Sequence, residues 1–249
     1  VFLDQGMPAL SPSAADVSIT MGNTPLDKSL LEQIRETEGV DKVFGRMEMA
    51  GLSISSDVGE GTVTLISYDD NQFGWAKKEL NEGSITPAME NTDRVLVTYQ
   101  DGVNWNVGDT VVLHTSSGDK QVTVAGILAT ATASAVNGAG SSGYMICSEQ
   151  TFAALVGDLG YTTIDVQFSS AGGDDTVSAI RSMSPSDSTV SDKRITNSES
   201  QSSYYTGAVF IYGFLIVIAF ITVFNIFNSM NASVASRTKQ YGIMRAIGM

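Results

Sequence analysis

The 249-residue sequence contains one cysteine and one histidine, and this scarcity excludes several kinds of site. Cys147 has no partner for an internal disulfide, so stability must come from the burial of apolar side chains. A structural zinc site takes four Cys or His ligands, which this sequence does not offer. A Ser-His-Asp relay would have to use His114, and no nucleophile motif accompanies it. We therefore expect no metal site, no cofactor and no catalytic residue.

Charged residues are missing from residues 200–236, and this gap is the longest in the sequence. Within it, residues 207–227 (GAVFIYGFLIVIAFITVFNIF) form an apolar run that is long enough to cross a lipid bilayer. The charge-free stretch, if helical, would be about 55 Å long, which exceeds the roughly 30 Å of a hydrocarbon core. The sequence therefore predicts a helix from Ser198 onward, with a stalk above the lipid and a transmembrane part.

The charges are distributed very unequally about this run. All 27 acidic residues precede Ser200, whereas the charges that follow the run are Arg237, Lys239 and Arg245. Positive charge beside a membrane helix favours the cytoplasmic side, so we expect a cytoplasmic C-terminus and a large extracytoplasmic N-terminal domain in the cell (plasma or inner) membrane. An acidic domain repels polyanions, so we expect no nucleic-acid partner.

The two ends of the sequence predict a segment of a longer polytopic membrane protein. The first residues, Val-Phe-Leu-Asp, include neither an initiator methionine nor the parts of a signal peptide. The last residues follow directly on the basic stretch.

Short strands alternate with short helices between Asp16 and Asp192, which predicts an α+β or α/β domain, and we adopt α+β. A strand at 17–20 is followed by a helix that Thr24 would cap, with Pro25 at its first position. Strands at 40–46, 49–55 and 62–69 complete a β-α-β opening. The buried face of that helix is predicted to consist of Leu26, Leu30, Leu31 and Ile34.

The middle of the chain is predicted to be mostly β-structure. Strands are expected at 93–99, 109–114 and 120–128, followed by an exposed Ala-, Gly- and Ser-rich loop at 129–143. Ser148 would cap a helix that ends at Gly157, and a strand at 163–168, a helix capped by Asp174 and a strand at 189–192 form a second β-α-β unit. We expect the first and last units to share one sheet, with a β-rich lobe inserted between them.

Two asparagines near the inner end of the apolar run, Asn225 and Asn228, are predicted to contact other helices. An unpaired amide is unfavourable in lipid, and a neighbouring helix can satisfy it. For Asn231 we prefer a simple position at the aqueous boundary.

The residues after the apolar run resemble the cytoplasmic signature of FtsX-like permeases of the MacB type, which are membrane subunits of ABC transporters. The resemblance rests on residues 236–248 (SRTKQYGIMRAIG), above all on the run from Tyr241 to Gly248. Gln240 differs from the acidic residue that is common at its position. Residues 107–113 (VGDTVVL) and 122–128 (VTVAGIL) resemble, less specifically, the MacB-like periplasmic core domain.

The resemblance implies a two-lobed extracytoplasmic core domain over residues 1–197. A β-α-β lobe would comprise 16–66 and 163–195, and the inserted β-rich lobe 67–160. Residues 198–236 would form the stalk and transmembrane helix, and residues 237–249 the start of the cytoplasmic FtsX-like segment.

The resemblance also implies a function without covalent chemistry in this chain. A cytoplasmic ABC ATPase subunit would hydrolyse ATP, and the permease, paired with a second copy or a paralogue in the lipid bilayer, would couple that reaction to an outer movement for export or mechanotransmission. The residues implied to contact the ATPase, or the lipid headgroups beside it, are Arg237, Lys239, Tyr241 and Arg245.

Two other functions are compatible with a membrane-anchored acidic domain. One is a single-pass membrane receptor or anchored extracellular ligand-binding protein, which would explain the apolar run but not the Gly-Ile-Met-Arg-Ala-Ile-Gly sequence. The other is a membrane-tethered hydrolase that pairs His114 with one of the serines.

Overall fold

The computed structural model describes residues 13–57, 59–98, 104–129 and 143–248. These residues form two units, one up to Ser198 and one from Glu199 onward. In chain order the elements are β1 (Val17–Thr20), α1 (Lys28–Arg35), β2 (Val40–Arg46), β3 (Glu48–Ser56), β4 (Gly59–Tyr68), α2 (Asp70–Ala76), β5 (Leu80–Gly83), α3 (Thr86–Glu90), β6 (Arg94–Thr98), β7 (Thr110–Thr115), β8 (Gly118–Leu128), β9 (Tyr144–Ser148), α4 (Glu149–Val156), β10 (Thr163–Phe168), α5 (Asp174–Met183), β11 (Thr189–Asp192) and α6 (Arg194–Ala246). The α+β class predicted from the sequence is confirmed.

Four antiparallel strands form the first sheet, in the order β11-β1-β10-β2. The first and last β-α-β units therefore share one sheet, as predicted. Because side chains alternate along a strand, Val17 and Ile164 lie on the face that packs with α1 and α5, whereas Ser18, Phe44 and Asp165 lie on the other face. Ser18, Phe44 and Asp165 are buried as well, so the second face contains polar side chains that are shielded from solvent.

Helix α1 buries Leu30, Leu31 and Ile34 against this sheet, as the spacing predicts. Its N-cap is Asp27, whose carboxylate accepts a hydrogen bond from Ser29 N at 2.7 Å, and not Thr24. The helix begins later than predicted because Leu26 is extended and forms an isolated β-bridge with Tyr161.

The second sheet has seven strands in the order β5-β8-β6-β9-β4-β3-β7, and β7 also pairs with β8. The first half of β8 pairs with β7, and its second half pairs with β6 and β5. Six strands thus form a closed ring, β8-β6-β9-β4-β3-β7, to which β5 is attached. Closing the ring leaves few exposed strand edges.

Alternate residues of the ring strands point inward and fill its interior with apolar side chains, among them Leu65, Leu113 and Met145. The opposite faces of β4, β6 and β9 carry Ile66, Leu96 and Ile146, which pack under α2 and α3. The interior of the ring and the helix-covered face of the first sheet belong to one continuous cluster of buried residues. Residues up to Ser198 therefore share a core.

The chain passes from the first sheet to the second at Met47, which is fully buried between β2 and β3. Strands β3 and β4 pair with β7 and β9 in the second sheet, whereas the expected first lobe extended to residue 66. The expectation was wrong on this point because strand spacing does not specify the partner of a strand. By sheet membership, the β-rich part begins at residue 48.

Of the predicted N-caps, Ser148 is confirmed, whereas Thr24 and Asp174 are not the N-caps of their helices. Ser148 caps α4 through Thr151 N at 3.2 Å, and Gly157 ends the helix with a positive φ, as predicted. The N-cap of α5 is Gly173, and Asp174 is its first residue. Of the predicted loop at 129–143, residues 130–142 lie outside the described part of the chain.

Candidate functional site

Helix α6 runs from Arg194 to Ala246 and contains the whole apolar run. No proline interrupts it, and at 1.5 Å per residue its 53 residues correspond to about 80 Å. Its most apolar 18-residue window has a mean hydropathy of 2.6 and no buried residues. Among the described residues it is the one helix long and apolar enough to cross a membrane. The helix begins four residues earlier than predicted, and it continues through the basic segment.

The four residues predicted to contact an ATPase are exposed on the last three turns of α6. At about 100° per residue, Arg237, Tyr241 and Arg245 lie within an arc of roughly 80°. Lys239 lies on the opposite side of the helix, roughly 160° from Arg237. The structure therefore brings three of the four predicted residues onto one face and separates the fourth from them.

Asn225 and Asn228 lie about 60° apart on α6, and both are exposed in the isolated chain. Their face also carries the small residues Ser229 and Ala232. It is the side of the helix that faces away from Tyr241. Asn225 and Asn228 thus lie on a different face from Arg237, Tyr241 and Arg245, whereas Lys239 lies on the same side of the helix as Asn225.

The start of α6 carries a set of contacts that sequence reasoning missed. The Arg194 guanidinium donates to Asp192 at 2.7 and 3.0 Å and to Asp174 at 2.7 Å. These hydrogen bonds raise the pKa of Arg194, and the one with Arg194 lowers the pKa of Asp192. Asn197 donates from its amide to Ala15 O at 2.9 Å. In the sequence, the one sign of these contacts was an acidic and a basic residue two positions apart, Asp192 and Arg194. Such pairs are common in sequences, so this one did not stand out.

His114, the residue considered for a hydrolase, is part of a relay-like set of hydrogen bonds. Its Nε2 lies 2.7 Å from Ser55 Oγ on β3, and its Nδ1 lies 2.8 Å from Asp119 Oδ1 on β8. These distances match a Ser-His-Asp arrangement. Ser55, however, lies inside a regular strand that pairs with β4 and β7, so the neighbouring N–H groups serve the ladders. Backbone donors engaged in the ladders are not free to stabilise an oxyanion, and such stabilisation is usually the largest catalytic contribution.

The described residues contain no group of three or more His, Cys, Asp and Glu side chains arranged to hold a metal ion. The sequence Asp69-Asp70-Asn71, which has some features of a calcium loop, begins α2. Asp69 accepts from Gln72 N at 2.9 Å, and the Gln72 side chain accepts from Asp69 N at 2.9 Å. This capping box accounts for the acidic residue at that position. Burial raises the pKa of Asp69.

Comparison with known families matches residues 212–249 to the FtsX-like permease C-terminal family. The resemblance of this segment to FtsX-like permeases, read from the sequence, is thereby confirmed. The match includes the residues from Arg237 to Arg245 and most of the apolar run. It favours a permease over a single-pass receptor.

Comparison with solved structures finds similar domains in two bacterial transporters. The extracellular domain of the noncanonic ABC-type transporter YknZ from Gram-positive bacteria is 11% identical over 70% of this chain and 99% of its own, with a TM-score of 0.48. The periplasmic region of MacB from Actinobacillus actinomycetemcomitans is 13% identical over 80% of this chain and 97% of its own, with a TM-score of 0.49. No curated protein sequence matches the chain.

Proposed function

We propose that this chain is part of the permease subunit of an ABC transporter. In this proposal a cytoplasmic ATPase binds and hydrolyses ATP, and the permease converts that cycle into a movement of the domain formed by residues 13–198. The proposal rests on the features that α6 combines. One helix contains the membrane-crossing run and the FtsX-like segment, and it begins within the α+β domain.

The proposal places the domain outside the cell membrane and the end of α6 in the cytoplasm. The domain carries nearly all of the acidic residues, whereas the end of α6 carries Arg237, Lys239 and Arg245 without an acidic residue. This asymmetry is the charge bias of a helix whose C-terminal end faces the cytoplasm.

Cysteine labelling tests this orientation directly, because the single native thiol, Cys147, is buried. Ser186→Cys and Gln240→Cys place one exposed thiol on each side of the membrane. A membrane-impermeant maleimide added to intact cells, or to spheroplasts where an outer membrane is present, should label the first variant only. Labelling of the second variant without permeabilisation would overturn the proposed orientation.

We further propose that the face formed by Arg237, Tyr241 and Arg245 contacts the ATPase. Two guanidinium groups beside an aromatic ring suit a protein surface with carboxylates, since Arg makes bidentate and stacked contacts. Lys239 lies on the other side of the helix and suits contact with lipid headgroups, because a long cationic side chain can extend to the interface.

Substitution within the complete transporter tests this contact. Tyr241→Ala with Arg245→Gln should weaken copurification of the ATPase and lower the coupling of ATP hydrolysis to the permease. Lys239→Gln is the matched control, since it removes one nearby charge from the opposite face. Equal behaviour of the two variants would contradict the assignment of the contact to one face.

We propose that Asn225 and Asn228 contact a membrane helix of a second permease copy or a paralogue. Small residues at Ser229 and Ala232 on the same face allow helices to approach closely, and the amides gain partners there. Cysteines at 225 and 232 should form cross-links within the assembled transporter. Cysteines at 223 and 230, on the opposite side of α6, should not.

A further inference from the structure

The first turn of α6 is fixed to the domain by a single arginine that contacts three elements. Arg194 donates from both Nε and Nη2 to Asp192, at the end of β11, and from Nη2 to Asp174, the first residue of α5. Its guanidinium carbon lies 5.7 Å from the ring centre of Phe168, the last residue of β10. Such a planar cation makes directional hydrogen bonds and stacks on a ring, so it defines position more strictly than a point charge does.

The start of α6 is also joined to the two residues that precede β1. The Asn197 side chain donates to Ala15 O at 2.9 Å, and Lys193 N donates to Asp16 O at 2.8 Å. The Asp16 carboxylate in turn accepts from Phe168 N at 2.7 Å. The residues just before β1 and the first turn of α6 are thus joined side by side at one end of the first sheet.

These contacts differ from those of an ordinary surface ion pair. Arg35 and Glu32, for comparison, are 2.7 Å apart but belong to one helix, and both are more than half exposed. Their pairing holds no two elements together. Arg194 is only about one quarter exposed, as is Asp192, whereas Asp174 is almost fully exposed. The partners of Arg194 come from three different elements of the domain.

We infer that Arg194 and Asn197 form a coupling clasp, through which a displacement of α6 is passed to the first sheet. Arg194 connects the helix to β11, α5 and β10, and Asn197 connects it to the residues that precede β1. The chain itself and the backbone hydrogen bond from Lys193 N to Asp16 O also join the start of α6 to the sheet, but neither fixes the helix by a side chain. The inference rests on the proposed function, because it states where the domain receives the movement.

Hydrogen exchange of the complete transporter, with its ATPase and in lipid nanodiscs, tests the clasp. The exchange of peptides from β1, β10 and β11 is compared without nucleotide and with ATP plus vanadate, which traps the ATPase. In the unaltered transporter we expect a nucleotide-dependent change in these peptides. In Arg194→Met with Asn197→Leu we expect at least a twofold smaller change, at an unaltered rate of ATP hydrolysis.

Arg35→Met is the matched control, since it removes another arginine of the same lobe and should leave the nucleotide-dependent change as it is. Arg194→Lys keeps the charge but not the forked donors, and we expect an intermediate change. Exchange of the ring strands without nucleotide verifies that the variants fold. A full-sized change in the double variant would overturn the clasp. If the unaltered transporter shows no nucleotide-dependent change in the domain, the proposed function fails, and the clasp fails with it.

Discussion

Arg46 and Asp165 form a buried ion pair between the neighbouring strands β2 and β10, with 3.4 Å between Nη2 and Oδ2. Their side chains are 5% and 9% exposed. Asp165 also accepts a hydrogen bond from Ser18 on β1, and Arg46 Nε lies 3.7 Å from Oε1 of Glu48, the first residue of β3. A single guanidinium therefore links the first sheet to the second at the point where the chain crosses between them.

Arg46→Met should lower the free energy of unfolding by about 3–5 kcal/mol, because it leaves two carboxylates buried without their cation. Urea unfolding in detergent, followed by the fluorescence of Trp75 and Trp105, measures this change. Replacing Glu48 by Gln and Asp165 by Asn in the same chain should recover part of the loss, since neutral groups are less costly to bury than charges.

Arg35→Met provides the comparison for this prediction. The exposed pair of Arg35 with Glu32 is expected to contribute no more than about 1 kcal/mol. If Arg46→Met destabilised the chain no more than Arg35→Met does, the buried link would not contribute to stability.

Gly45→Ala should destabilise the domain by about 1–3 kcal/mol. A Cβ atom at Gly45 would lie 2.6 Å from carbon atoms of the Tyr161 ring, so the ring would have to move. Tyr161 is held in place by a hydrogen bond from its hydroxyl to Glu149 Oε1 at 2.9 Å. Thermal unfolding, followed by far-ultraviolet circular dichroism, reports the loss.

Gly74→Ala is the matched substitution, because a Cβ atom there meets no other atom within 4 Å. Gly74 lies in helix α2, where alanine is favoured over glycine by about 1 kcal/mol. We therefore expect opposite signs for the two substitutions. A stabilising Gly45→Ala would show that the ring has room to adjust.

Much of the α+β domain could be predicted because its signals are local. Strands at 17–20 and 163–168 have the alternating pattern that identifies them, and Ser148 with Gly157 delimits α4. Such local signals do not show which strands pair with each other. The assignment of β3 and β4 to the second sheet, and the closing of the ring by β7 and β8, depend on contacts between residues far apart in the sequence.

The candidate site could be predicted only in part, for a related reason. Arg237 and Tyr241 lie shortly after the apolar run, so charge and sequence pattern identify them as candidates for the ATPase contact. Arg194 could not be identified in this way, because its importance arises from Phe168 and Asp174, which only the fold brings to it. Likewise, His114 was correctly noted as the single histidine, but its neighbours Ser55 and Asp119 come from separate strands.

A fluorophosphonate probe should not label Ser55, although Ser55 Oγ lies 2.7 Å from His114 Nε2. Nucleophilic attack on such a probe builds negative charge on an oxygen, and backbone donors near Ser55 are engaged with β4 and β7. Mass spectrometry of the probe-treated chain is the measurement, with an active serine hydrolase as the positive control. Labelling of Ser55 that disappears in His114→Gln would instead support the hydrolase interpretation.

Cys147 should be unreactive towards thiol reagents in the folded chain and should react once the chain is unfolded. It is fully buried in β9, and burial raises the pKa of its thiol well above the ordinary range. A raised pKa favours the neutral thiol, so the reactive thiolate stays scarce at about pH 8 and also at about pH 9, where an ordinary cysteine with a pKa near 8.5 is largely ionised. The rate of reaction with a maleimide, measured at both pH values with and without urea, tests this. Ser186→Cys supplies an exposed thiol in the same chain, whose rate should rise with pH in the folded state. A folded-state rate for Cys147 close to that of the introduced cysteine would mean that the ring strands open readily and that this thiol is not a core residue.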